Sequence, residues 1–173
     1  ATSPWLVQSC CVIMPLPWYF NHHMWLKMLH VEARGFPAFT SSLPYPDVDA
    51  AAALIDGKTR AIILCSPNNP SGAIYPAHVI EAFHDLAVAR GIALIVDETY
   101  KDFREDKSPP HSVLSRPDWA GSFIQLHSFS KIYAMAGYRL GAIVAHESLL
   151  SEVEKVLDCM TICPPQITQR AVL

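Results

Sequence analysis

Residues 61–96 read AIILCSPNNPSGAIYPAHVIEAFHDLAVARGIALIV. Ala61-Ile62-Ile63-Leu64-Cys65 and Ile92-Ala93-Leu94-Ile95-Val96 are short and apolar at every position, the pattern of buried strands. Between them, Pro76 to Arg90 sets Val79, Ile80, Phe83, Leu86 and Ala87 on one face. A proline in the first turn and Gly91 just past the end complete the signature of an amphipathic helix. Strand, helix and strand again is the unit that builds a parallel sheet through a right-handed crossover.

Outward from this unit, Cys11 to Met14, Ser122 to Leu126 and Gly141 to Ala145 read as further strands. His22 to Leu29 and Asp47 to Ile55 read as helices. Leu149, Leu150, Val153, Val156, Leu157 and Met160 space a longer one that Pro164 and Pro165 stop. Strands apolar on both faces call for helices on both sides, so the expected fold is α/β: a three-layer α/β/α sandwich with a mostly parallel sheet. The 173 residues suffice for one domain with a real core.

Composition narrows the function. With 51% hydrophobic and 17% charged residues the chain is not a disordered one, and a net charge of -3 argues against a partner held by phosphate neutralisation, so no nucleic acid is expected. No apolar stretch approaches the roughly 20 residues that span a bilayer, so no membrane is expected. The five cysteines (Cys10, Cys11, Cys65, Cys159, Cys163) lack C-x-x-C spacing and read as reduced, inert and buried in a cytoplasmic protein. No face gathers three metal ligands from the eight histidines, and no G-x-S-x-G elbow is present. Glu81 and Asp85, like Glu152 and Lys155, read as solvated helix faces.

In open α/β sheets, ligands sit beyond the carboxyl ends of the strands. Three of those ends are rich: Ser66-Pro67-Asn68-Asn69-Pro70-Ser71-Gly72, Asp97-Glu98-Thr99-Tyr100, and His127-Ser128-Phe129-Ser130-Lys131, with Arg139 eight residues beyond the lysine. Taken singly, the first is a turn by composition, Asp97 a cap and Lys131 a surface residue.

Taken together, S-P-N-N-P-S-G, D-E-T-Y and S-F-S-K-I-Y-A-M-A-G-Y-R-L-G resemble the class I/II aminotransferases, pyridoxal 5′-phosphate enzymes of the aspartate aminotransferase fold. With P-W-Y-F-N-H at Pro17 to His22, the resemblance runs from about Val12 to Leu173. It implies that Lys131 forms the Schiff base with the cofactor and serves as the base that moves the substrate proton. Asp97 would face the pyridine nitrogen. Asn69 and Tyr100 would donate to the phenolic oxygen, and Arg139 with Ser128 and Ser130 would hold the phosphate. Tyr19 would stack on the ring, with Trp18 the adjacent alternative.

The implied reaction carries an amino group from an amino acid to a 2-oxo acid. A lyase, decarboxylase or synthase of the same fold, or a non-catalytic relative, are the alternatives. The family implies a homodimer, a glycine-rich phosphate segment upstream and a small domain downstream. Ala1 to Ser9 carry no such turn, so the expectation is the central part of a large cofactor-binding domain, incomplete at both ends and prone to self-association.

Overall fold

Each short apolar run forms a strand. The computed structural model describes residues 10–40 and 44–172; Ala1 to Ser9, where the sequence shows no glycine-rich turn, and Leu173 lie outside the described residues. The strands are β1 (Cys11–Leu16), β2 (Glu32–Pro37), β3 (Thr59–Cys65), β4 (Ala93–Asp97), β5 (Phe123–Ser128) and β6 (Gly141–Val144). The helices are α1 (Phe20–Met28), α2 (Val48–Ala52), α3 (Ala77–Arg90), α4 (Glu147–Met160) and α5 (Gln166–Val172).

The six strands form one sheet in the order β2-β1-β3-β4-β5-β6. The first five run parallel, and β6 pairs antiparallel with β5. After β2 the chain returns to the other side of β1, so strand order reverses between β1 and β3, the place where open α/β sheets open a crevice.

Alternate residues of each central strand enter different cores. Ile13, Ile62, Leu64, Leu94, Val96 and Phe123 pack on one face with Val79, Ile80, Phe83 and Ala87 of α3. Val12, Met14, Ala61, Ile63, Ala93 and Ile95 face the other way, against Trp18 and Leu26 of the α1 side. This is why the strands read apolar throughout. Gly91 closes α3 at φ 63, a left-handed turn that glycine adopts without a Cβ clash.

β2 and α5 are not announced by the sequence. β2 (EARGFP) lies at the sheet edge, where Phe36 alone is buried among its side chains, and Arg34 pairs instead with Glu32 at 2.9 Å and Asp56 at 2.8 Å. The expected helix at Asp47–Ile55 shortens to α2, with Asp47 as its N-cap accepting from the Asp49 N–H.

Two further expectations are corrected. Glu81 accepts from the backbone N–H and hydroxyl of Ser112 at 2.9 and 2.7 Å, and Asp85 pairs with Arg116, so this face of α3 tethers a loop and is not merely solvated. Cys159 and Cys163 are exposed, because α4 and the turn after it lie on the surface. The apolar face of α4 is open too: Leu149, Val156, Leu157 and Met160 are exposed, as are Ile143 and Val144 of β6. No helix among the described residues is long and apolar enough to cross a membrane.

Phe83 is fully buried and its ring centroid lies 6.4 Å from that of Phe36, so Phe83→Ala is expected to lower stability in urea unfolding by about 3–5 kcal/mol. The open α4 and β6 surface is expected to make the chain self-associate; sedimentation showing a monodisperse monomer at all concentrations would contradict this.

Candidate active site

Because β1, β3, β4 and β5 run the same way, their carboxyl ends share one edge of the sheet. Side chains that follow these ends converge on a cavity of about 290 Å³. Tyr19, Asn69, Asp97, Tyr100, Ser128, Ser130, Lys131 and Arg139 all line it, joined by Cys65, Thr99 and Ala136. Larger hollows exist, of about 820 Å³ between β6 and α4, about 490 Å³ beside Lys101 and His111 and about 400 Å³ beside Pro67 and Phe103, but none of them brings together residues that follow β3, β4 and β5.

Asp97 is the last residue of β4 and is 9% exposed. One carboxylate oxygen is 3.0 Å from His22 Nε2; the other accepts from the Thr99 N–H at 3.0 Å and the Thr99 hydroxyl at 2.6 Å. Burial alone would raise its pKa, but the hydrogen bonds from His22 and Thr99 outweigh it and hold the carboxyl below its ordinary value. Asp97 is therefore an anion at neutral pH. The neighbouring Cys65 thiol is pushed up to about 12, first by burial and then by the charge of Asp97, so it stays protonated.

The two asparagines of the β3 turn have separate tasks. Asn68 is buried: its side-chain oxygen accepts from the Ser71 N–H at 3.1 Å and the Ser71 hydroxyl at 2.6 Å, and its backbone closes the turn with Ala73 and Gly72. Asn69 is thereby left facing the cavity, its Nδ2 3.5 Å from the Tyr100 hydroxyl. Trp18 and Tyr19 divide likewise. Trp18 stacks on His23 with centroids 4.7 Å apart and packs against the core under β1, while Tyr19 lines the cavity and its hydroxyl accepts from Asn21 at 2.8 Å.

Lys131 and Arg139 belong to one loop between β5 and β6. The loop closes on itself through the Phe129 N–H donating to the Leu140 carbonyl at 3.2 Å, and the Ser130 N–H donates to the Ser128 hydroxyl at 3.2 Å. Arg139 adopts φ 54 and one of its terminal nitrogens donates to the Ala136 carbonyl at 2.8 Å. Among the described residues no carboxylate lies within ion-pair distance of either cation. The cavity thus combines a buried anion, two neighbouring donors, and an amine and a guanidinium without a carboxylate partner among the described residues, beside hydroxyls.

His22 and Thr99 are the residues that sequence reasoning missed. Their signals are local: His22 follows the N-cap Tyr19 by three, so the first turn of α1 brings both to the same side, and Thr99 sits two after an aspartate, the spacing of an Asx turn.

The profile of the family Aminotransferase class I and II matches residues 5–173. The chain is 30% identical over 150 residues to the aspartate aminotransferase of Sulfurisphaera tokodaii, covering 87% of this chain and 35% of that protein. It is 37% identical over 123 residues to the arginine–pyruvate transaminase of Pseudomonas aeruginosa, covering 71% and 31% respectively. The structure of Thermus thermophilus aspartate aminotransferase with maleate superposes with a TM-score of 0.86 at 25% identity, covering 96% of this chain and 43% of that one. The chain therefore spans about a third of the length of these curated relatives. With its parallel sheet and its strand-end cavity matched by a family profile over nearly every residue, the chain belongs to the class I and II aminotransferases.

Proposed function

We propose that the site binds pyridoxal 5′-phosphate, with Lys131 as its Schiff-base lysine, and that the protein to which it belongs transfers amino groups from an amino acid to a 2-oxo acid. One observation carries this reading: an acid, an amide, two phenols, hydroxyls, an amine and a guanidinium from four strand ends line one cavity of about 290 Å³. Together they suit the pyridine nitrogen, phenolic oxygen, aldehyde and phosphate of that cofactor, which when bound supplies an electron sink for the bonds at the substrate Cα.

Asp97, kept ionised by His22 and Thr99, would hold a proton on the pyridine nitrogen. Asn69 and Tyr100 would donate to the phenolic oxygen. The planar fork of Arg139, with the Ser128 and Ser130 hydroxyls, would grip the phosphate, a task for which an ammonium is poorly shaped. Tyr19 would cover one ring face. Lys131 would hold the aldehyde carbon, and its amine, the basic side chain lining the cavity, would move the substrate proton.

Treating the protein with pyridoxal phosphate and then borohydride should leave a covalent adduct on the peptide containing Lys131, and Lys131→Ala should abolish both the adduct and turnover. An adduct elsewhere, or full turnover in the variant, would refute the reading. The lowered pKa of Asp97 has a second consequence. A carboxylate whose folded pKa is depressed contributes stability that is complete above its unfolded value near about 4 and is lost as pH falls through the folded value. Asp97→Asn should therefore flatten the fall in urea stability between about pH 5 and 2, and it should weaken pyridoxal phosphate binding at neutral pH.

A further inference from the structure

Glu98 lies between Asp97 and Tyr100 in sequence but turns away from the cavity and is fully buried. Its carboxylate is held on both oxygens. Oε1 lies 2.6 Å from Nε2 of His111, whose Nδ1 accepts from the Val113 N–H at 3.2 Å, so the Nε2–H tautomer of His111 donates to Glu98. Oε2 accepts from the Gln125 side-chain amide, with Lys101 Nζ 3.9 Å away. The backbone of Glu98 is fixed as well: its N–H donates to the Leu126 carbonyl at 2.9 Å, and its own carbonyl accepts from the Lys101 N–H at 3.0 Å.

Burying a carboxylate costs desolvation that a well-packed apolar side chain would not incur, so stability alone is a weak reason for this group. Its location offers a better one. Gln125 stands opposite Val96 in the β4–β5 ladder, and Leu126 stands opposite Asp97. The Glu98 carboxylate thus bridges the end of β4, which carries Asp97 and Tyr100, to β5, which leads into Ser128 and Lys131. His111 braces it from the far side and packs edge-on against Phe123, with centroids 5.2 Å apart.

We infer that Glu98 is a positioning residue: clamped by His111 and Gln125, it sets the Asp97–Tyr100 wall of the cavity against the Ser128–Lys131 wall. The inference rests on the aminotransferase reading. Loss of the clamp lets the Tyr100 hydroxyl drift from its place relative to the Asn69 amide and Lys131. With the cofactor bound, donors aligned on its phenolic oxygen would make that oxygen a weaker acceptor for a proton on the Lys131 nitrogen, so their misalignment would leave that proton more tightly held.

The test is spectroscopic. In protein loaded with pyridoxal phosphate, the pH midpoint of the visible band is a property of the folded fraction only, which a merely structural role would not move. Glu98→Leu should raise that midpoint by about half a pH unit or more and weaken pyridoxal phosphate binding about tenfold. Glu98→Gln should restore the original midpoint, because the carboxamide oxygen introduced there still accepts from His111 and the Gln125 amide can turn its own oxygen toward the new NH₂ group. An unchanged midpoint in Glu98→Leu overturns the inference, as does a Glu98→Gln midpoint displaced as far as that of Glu98→Leu, which would mean action through charge. Should Glu98→Leu not fold, Gln125→Leu cuts only the tie between β4 and β5; it should raise the midpoint, and an unchanged midpoint overturns the inference. A visible band absent from the unsubstituted protein would instead remove the aminotransferase reading, and this inference with it.

Discussion

Parallel pairing of β1, β3, β4 and β5 is the constraint on which the site depends. A parallel ladder cannot be closed by tight hairpins, so each strand must be followed by chain that crosses back over a face of the sheet. The crossovers bury their own apolar sides on the strands, and the strand ends at one edge are left to carry polar residues. Fixing the strands in register by backbone hydrogen bonds therefore places Asn69, Asp97 and Ser128 near one another without any contact among the three having to be made for that purpose.

Within that frame the electrostatics run through a short chain of neighbours. His22 from α1 and Thr99 from the β4 turn keep Asp97 ionised against the effect of burial. Burial, and after it the same charge, keeps the adjacent Cys65 thiol neutral, so a potential nucleophile at the cavity wall is inert. On the opposite side of the β4 end, Glu98 is fully buried in a network with His111 and Gln125. Two successive acidic residues thus face different surroundings: one lines the cavity, the other ties two strands together.

What could be read from the sequence follows burial. β1, β3 and β4 announce themselves because both faces are covered, and α3 because one face is apolar and Pro76 and Gly91 mark its ends. β2 was hidden because an edge strand with one buried side chain looks like any polar stretch, and its position is held by backbone pairing with β1 and the ion pairs of Arg34. The eight residues that line the cavity were legible as a group, since the motifs follow the strand ends, but their partners were not. That Asp97 leans on His22, 75 positions earlier, and that Glu98 meets Gln125 across a ladder, are products of topology. Likewise the choice between Trp18 and Tyr19 rested on which ring the start of α1 turns toward the core.

The reversal at β6 has its own consequence. Since β6 runs antiparallel to β5, with Gly141 opposite Ser128, the chain leaves the sheet and re-enters it at the same edge without a crossover helix. The twelve intervening positions, 129–140, behave as a cassette pinned at both feet, in which the amine of Lys131 and the guanidinium of Arg139 have a fixed spacing along the chain. Insertions elsewhere on the surface could be absorbed by longer connections, whereas lengthening this cassette would separate the two cations while leaving the sheet intact. Natural variation in loop length should accordingly be sparse here and freer in the polar excursion around residues 104–110.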